Sequence, residues 1–300
     1  MAGTDFAVNE NKSVMYKITR FRKRFTSFEI LSAMMIMIGA ISMLLPFFWM
    51  LLASLKTNAE FYNSTKWIPD RLHWNNYKEL LFPEKGFGFV HYFFNTAKVT
   101  ILSVIGMVVA CTLAGFGFAR IKFPGRNLIF AFAVMTMFLP SQVTIIPLFV
   151  VFTKLKWIGT HLPLYVPSFF GAAFGIFLMR QFFLTIPSDF DEAAKIDGCG
   201  WFGIFRRIHL PLVLSPMITL AILTFQEKWA ELLNPMIYIG KKQELWTIVL
   251  RIKDISTGQY NSRPELEMAG NLLLVLPVIL LFIVAQKYFA QSITSSGVKG

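Results

Sequence analysis

Long apolar runs alternate with short polar ones along this chain. A hydrocarbon core of ~30 Å takes ~20 apolar residues of helix. Six segments reach that length: 30–55, 91–119, 128–152, 164–183, 213–239 and 268–290. The third contains Pro140 and Pro147. The pattern predicts an all-α membrane protein with six transmembrane helices. It divides the chain into a polar segment (1–28), a first helix (29–55), a polar loop (56–90), a five-helix core (91–290) and a short tail (291–300). Within the core lies one long polar excursion, 185–212.

That excursion is strongly patterned. Ser188 with Asp191 three residues later has the spacing of a capping box. The helix it opens runs to Ile196, and Gly198 supplies the left-handed residue that a helix end favours. Trp201, Ile204, Phe205 and Ile208 then make one apolar face at helical spacing. Arg206 and Arg207 suit a helix C-terminus, and Pro211 is expected to stop it. Two short helices at a glycine corner form a knob. Ala193, Ala194 and Gly198 carry little side chain, so a docking partner has access to backbone. The plainer alternative is an amphipathic loop resting on the membrane surface.

Composition agrees with a membrane protein. The chain is 55% hydrophobic, has 32 Phe and only 15% charged residues, and its mean hydropathy is +0.56. A net charge of +12 would suggest nucleic acid in a soluble protein. Here cations flanking spans and meeting anionic lipid headgroups explain it better, and no nucleic-acid partner is expected. Cys111 falls in an apolar span and Cys199 in the polar excursion, so neither disulfide nor metal spacing arises. The apolar run after the basic N-terminus is too long for a signal peptide and reads as an uncleaved span. Asn63-Ser64-Thr65 is a formal glycosylation triplet of no weight.

Charge sets direction. Lys12, Lys17, Arg20, Arg22, Lys23 and Arg24 precede the first span, which usually dominates orientation. With six spans, both termini are then cytoplasmic, and so is the 185–212 excursion. The loops 56–90 and 241–267 fall outside.

The residues also resemble a known family. Glu192-Ala193-Ala194, then Gly198, then Ile208-His209-Leu210-Pro211 is similar to the EAA loop of ABC-importer permeases. The fuller string, Asp191 to Gly198, resembles the carbohydrate-uptake (maltose-type, binding-protein-dependent) branch. Trp67-Ile68-Pro69 with Asn76-Tyr77, Phe94-Asn95-Thr96, the stretch 114–126, Phe177 to Phe183 with Ile186-Pro187, Met268-Ala269-Gly270, Gln286 to Phe289 and the ending 297–300 resemble it in order and spacing. Departures are Cys199, where a small residue is usual, Ser292, where glycine is common, and Ala230, where the family often has asparagine.

The resemblance implies a type I importer fold with a cytoplasmic coupling helix. It implies a permease subunit in the cell (inner) membrane that forms half of a sugar or oligosaccharide pathway and is not itself an enzyme. The ATPase-coupling residues would be Glu192, Ala193, Ala194, Asp197, Gly198, Trp201, Phe205, Leu210 and Pro211. The partners would be a homologous second permease (a heterodimer), two ATPase subunits and an external sugar-binding protein. ATP and Mg would sit in the ATPases, with no cofactor or metal on this chain.

Span five carries Glu227, Lys228, Glu231 and Asn234. Ionisable groups in a span face a cavity or one another. Read as one helix, Glu227 and Glu231 share a face, and Lys228 reaches Glu231 at i, i+3. The residues either line the translocation path, with Gln142 of span three, or form a structural pair between two subunits. Proline in span three implies a kink, or a broken helix lining the pathway. Two other functions use such acids: an ion-coupled secondary carrier, and an intramembrane enzyme with Glu227 and Glu231 as paired carboxylates. A carrier would often show internal repeats, and none is visible. The sequence contains no GxxxxGK[ST], HExxH or GxSxG.

Overall fold

Proline and glycine decide where the apolar segments run straight and where they break. The structure is a computed structural model describing residues 27–63, 66–84, 86–257 and 262–296, with side chains described as far as residue 286. The basic N-terminal cluster, Ser64 and Thr65 of the glycosylation triplet, part of the 241–267 loop, the side chains of Lys287, Tyr288 and Phe289, Ser292, and the tail 297–300 lie outside the described side chains or residues.

Among the described residues all regular structure is helical. The chain divides into two units, 1–50 and 51–300. The first consists of most of α1 (Ser27–Ser54), an apolar helix with Pro46 inside it. The second begins with two short helices, α2 (Asn58–Tyr62) and α3 (Asn75–Leu81). Then comes α4 (Phe89–Arg120), whose 32 residues reach ~48 Å at 1.5 Å per residue. After a turn at Gly125 follow α5 (Arg126–Met135) and α6 (Ser141–Lys154). The short α7 (Leu162–Tyr165) leads through a 3-10 turn into α8 (Ala173–Thr185). The polar excursion holds α9 (Asp189–Ile196), α10 (Trp201–Ile204), a π-helical turn (Phe205–His209) and α11 (Leu210–Leu212). The remaining helices are α12 (Leu214–Trp229), α13 (Leu233–Tyr238), α14 (Ile248–Thr257) and α15 (Pro264–Ser296).

Four helical stretches are long and apolar enough to cross a membrane: Phe28–Ser54, Phe89–Arg120, Leu162–Thr185 and Pro264–Gln286. Two more are bent pairs, so the total is six if each pair is one span. The expected third span is not continuous. It bends by 105° between Phe138 and Ser141, because Pro140 lacks the N–H that would continue the helix and forces Leu139 into extended backbone. The expected fifth span, 213–239, is corrected too. It stops at Trp229 and restarts at Leu233. Pro235 cannot donate to the Glu231 carbonyl, so it is accommodated only near the start of a new helix.

The core is organised around α4. Gly115 lets α4 touch α8 so closely that a Cβ there would lie 2.6 Å from the Met179 Cβ and 2.9 Å from the Arg180 backbone nitrogen. Gly175 of α8 returns the contact, with Cys111 Sγ 2.6 Å from where its Cβ would be. One buried cluster, including Tyr92, Trp229, Tyr238, Trp246 and Ile248, gathers toward the Phe89 end of α4. A second, including Cys111, Phe116, Met179, Phe183 and Val213, gathers toward the Arg120 end.

Polar contacts segregate in the same way. At the Phe89 end, Asn58 Nδ2 donates to the Ser262 carbonyl (2.8 Å) and the Glu265 carboxylate (3.2 Å). Asn95 donates to the Glu244 and Trp246 carbonyls, and Lys242 to the Gly159 carbonyl. These contacts join the two loops expected outside to the 154–161 connection. The Arg120 end carries the 188–212 loop.

Candidate functional site

The loop is a knob with a polar interior. Helix α9 begins where the spacing predicts, but its capping box does not form: Ser188 has helical backbone and makes no side-chain cap. Asp191 turns inward instead, because two better partners wait there. Its carboxylate accepts from Arg120 at the end of α4 (3.3 Å) and from His209 Nε2 (2.5 Å). Against a carboxylate, Nε2 is the donor. Arg120 also donates to the Phe183 and Ile186 carbonyls at the end of α8.

Gly198 has φ +77°, the left-handed corner expected of it, and its N–H bonds the Lys195 carbonyl (3.0 Å). Nothing lies within 4 Å of where a Cβ would be. Ala193 is exposed, as are Glu192, Asp197 and Gly198. Ala194 is not, at 7% exposure. It shares the inward face with Asp191, one turn away, so it offers a partner no backbone. Ile196 and Phe202 stand out at 88% and 73% exposure.

On the apolar face of the second half, Ile204 is buried, Phe205 and Ile208 are half-buried and Trp201 stays exposed. Phe205 and Trp201 both meet Phe116 of α4, at ring-centroid distances of 5.0 and 6.3 Å. Lys195 Nζ sits 4.1 Å over the Trp201 ring, a cation–π contact. Pro211 does not stop the helix. It lies inside α11, and its missing N–H goes with the wide π-helical turn over Phe205–His209 just before it. The break comes at Val213, where the segment Trp201–Leu212 meets α12 at 74°. Leu210 is half-buried and Pro211 exposed. Between the knob and the end of α4 is a depression of about 410 Å³, rimmed by Lys122, Arg126, Lys195 and Glu192.

Span five shows a different arrangement. Because α12 ends at Trp229, Glu227 and Glu231 do not share a helix face. Lys228 lies between them, 3.3 Å from Glu227 and 3.1 Å from Glu231. The Glu227 side chain is 66% exposed, those of Lys228 and Glu231 only 12% and 15%. Asn234 donates to the other Glu231 oxygen. The break thus holds Lys228 shared by two carboxylates, Glu231 with Asn234 on the covered side and Glu227 at the exposed margin. Gln142 is exposed in the first turn of α6, beyond the bend, with Ser141 Oγ at 3.4 Å. Ala230 is exposed. Among the described residues no group of three His, Cys, Asp or Glu is placed to hold a metal.

Sequence reasoning did not assign Arg120 and His209 to the loop's interior. The available signal was Asp191 at i, i+3 from Ala194, a polar residue on the small-residue face of an amphipathic helix.

Residues 104–295 match the family described as binding-protein-dependent transport system inner membrane component. The chain is 29% identical to the arabinooligosaccharides transport system permease protein AraQ of Bacillus subtilis (strain 168), over 94% of this chain and 99% of that one. It is 30% identical to a probable starch degradation products transport system permease protein, AmyC of Thermoanaerobacterium thermosulfurigenes, over 85% and 91%. Its fold matches a chain of a bacterial ABC transporter that imports the acidic polysaccharide alginate, with TM-score 0.73 at 22% identity, covering 87% of this chain and 96% of that one. The all-helical architecture is therefore the type I ABC-importer permease fold, and the chain belongs to the binding-protein-dependent transport system inner membrane components.

Proposed function

We propose that this chain forms half of the translocation pathway of an ATP-driven importer for sugars or oligosaccharides. The observation that carries the reading is the knob at Gly198, an exposed surface of Glu192, Ala193, Asp197, Ile196 and Phe202 held on a buried polar base. It suits docking into a cleft of an ATPase. Glu192 offers an exposed carboxylate to a cation there, and Gly198 leaves room for close approach. Trp201 and Phe205 hold the knob to the spans through Phe116, and Leu210 leads the chain from the knob toward α12. The relatives named for oligosaccharides and starch fragments support the substrate class.

The working assembly is a heterodimer with a homologous permease, two ATPase subunits that hold ATP and Mg, and an external sugar-binding protein. This chain binds no cofactor, metal or nucleic acid, and lipid surrounds its spans. Both termini and the knob face the cytoplasm. The loops 56–90 and 241–267 face the binding protein. Gln142, Glu231 and Asn234, with Glu227 at the exposed margin, line the path at the two broken spans. Irregular backbone inside a membrane is tolerated where it borders a cavity, and that supports the assignment.

The test is affinity purification of the chain from its native membrane, with Gly198→Asp alongside. Recovery of an ATPase that the variant loses is the expected result. Recovery of none from gently solubilised membranes would count against the reading and favour an ion-coupled carrier.

A further inference from the structure

Among the acids of the 188–212 loop, Asp189, Glu192 and Asp197 are exposed and Asp191 alone is buried, at 5% exposure. It joins separate parts of the fold. One oxygen meets Arg120 of α4, and the other meets His209, five residues before α12. Arg120 fastens the end of α8 through the Phe183 and Ile186 carbonyls. The Arg120 side chain is 8% exposed and that of His209 0%. The ends of α4 and α8, and the segment entering α12, therefore meet the docking helix at a single carboxylate.

We propose that Asp191 is a positioning residue for energy coupling. It locks α9 to α4, α8 and the start of α12 as one rigid body, so that a displacement of the docking helix reaches all three together. The inference rests on the ATP-driven reading above. Fold stability alone is a poor reason for this arrangement, because well-packed apolar side chains of the same volume often stabilise as much as a buried ion pair. What the polar cluster adds is direction. Trp201 and Phe205 also attach the knob, by packing on Phe116, but apolar packing is non-directional and permits sliding. Charge-assisted hydrogen bonds shielded from water fix both distance and angle.

The test uses the purified complex of both permeases, ATPases and binding protein, reconstituted in vesicles. Asp191→Asn keeps the shape and removes the charge. The expected result is ATPase recovery and basal hydrolysis as in the wild type, with substrate imported per ATP reduced about tenfold, the equivalent of ~1.4 kcal/mol. Unchanged import per ATP would overturn the proposal, and so would loss of the ATPase from the complex in step with import, the sign of a purely structural role.

A second measurement leaves Asp191 intact. Spin labels are placed at Phe190→Cys on α9 and Leu113→Cys on α4, both exposed, with Cys199→Ala. Their separation should change by less than ~1.5 Å, one residue's rise, between nucleotide-free and ATP-bound complexes. A change of ~5 Å, about one helical turn, would overturn the rigid lock whatever the Asn variant does. Absence of any ATPase from the wild-type complex would instead defeat the functional reading, and the lock with it.

Discussion

Arg263 grips Glu79 at two points, 3.0 and 3.2 Å, across 184 residues of sequence. It also pairs with Glu265, which is 1% exposed and receives Asn58 as well. These contacts hold the two loops at the Phe89 end as one surface. The Arg263–Glu79 pair is more than a third exposed, so Glu79→Gln is expected to lower stability by less than about 1 kcal/mol. Glu265→Ala strips two partners at a buried position and is expected to lower it by about 2 kcal/mol. Chemical denaturation in detergent checks the order. Equal effects would contradict it.

The contact between α4 and α8 leaves no room at Gly115. Gly115→Ala drives a Cβ into the backbone of the facing helix, and neither wall is a flexible side-chain tip. Overpacking of this kind costs ~1–3 kcal/mol. A lowered melting temperature is expected, with Gly117→Ala, where nothing lies within 4 Å, as the benign comparison.

At Gly198 the constraint is conformational. A Cβ meets nothing there, but φ is +77°, where L residues with side chains are strained by ~1 kcal/mol. Gly198→Ala should therefore destabilise modestly and Gly198→Asn less, since asparagine visits this region more readily. Thermal unfolding of both variants distinguishes strain from a contact effect. A larger loss with Asn would point to contact.

Lys228 neutralises Glu231 in the break of span five. Lys228→Met leaves that carboxylate half-buried without a cation, with Asn234 still donating to it, and is expected to harm stability more than the double variant Lys228→Met/Glu231→Gln. If the cluster lines the pathway, Glu231→Gln also lowers uptake and substrate-stimulated ATP hydrolysis. Wild-type values for both would remove Glu231 from the path.

The Glu60 carboxylate takes the Thr57 N–H (2.9 Å) and hydroxyl (3.0 Å). The backbone bond, first among the causes, holds its pKa below the usual carboxylate range. A depressed pKa stabilises the folded form above the unfolded-state value of ~4.3 and loses that contribution as pH falls through the lower folded value. Amide protection factors over residues 57–62 should therefore fall only as pH drops below the free-glutamate value of ~4.3, and Glu60→Gln should flatten the dependence.

Much of this was legible in the sequence, because apolar length and turn residues act locally. The six apolar segments, the helix ending at Gly198 and the inward face of Ile204 and Phe205 follow from spacing alone. Other features are tertiary. Asp191 had the spacing of a cap, yet Arg120, 71 residues earlier, took it inward. Pro140 promised a kink or a break, but no local rule sets 105°. Pro235 carried enough information to end α12 early. Averaging hydropathy over the whole segment concealed it and placed Glu227 and Glu231 on one face.

The most direct test of the central claim is import into vesicles bearing the purified complex, with labelled oligosaccharide and binding protein on one side and ATP on the other. Accumulation is predicted only when ATP is on the side of the Gly198 knob, with no requirement for a proton or sodium gradient. Accumulation driven by an ion gradient without ATP would contradict the account.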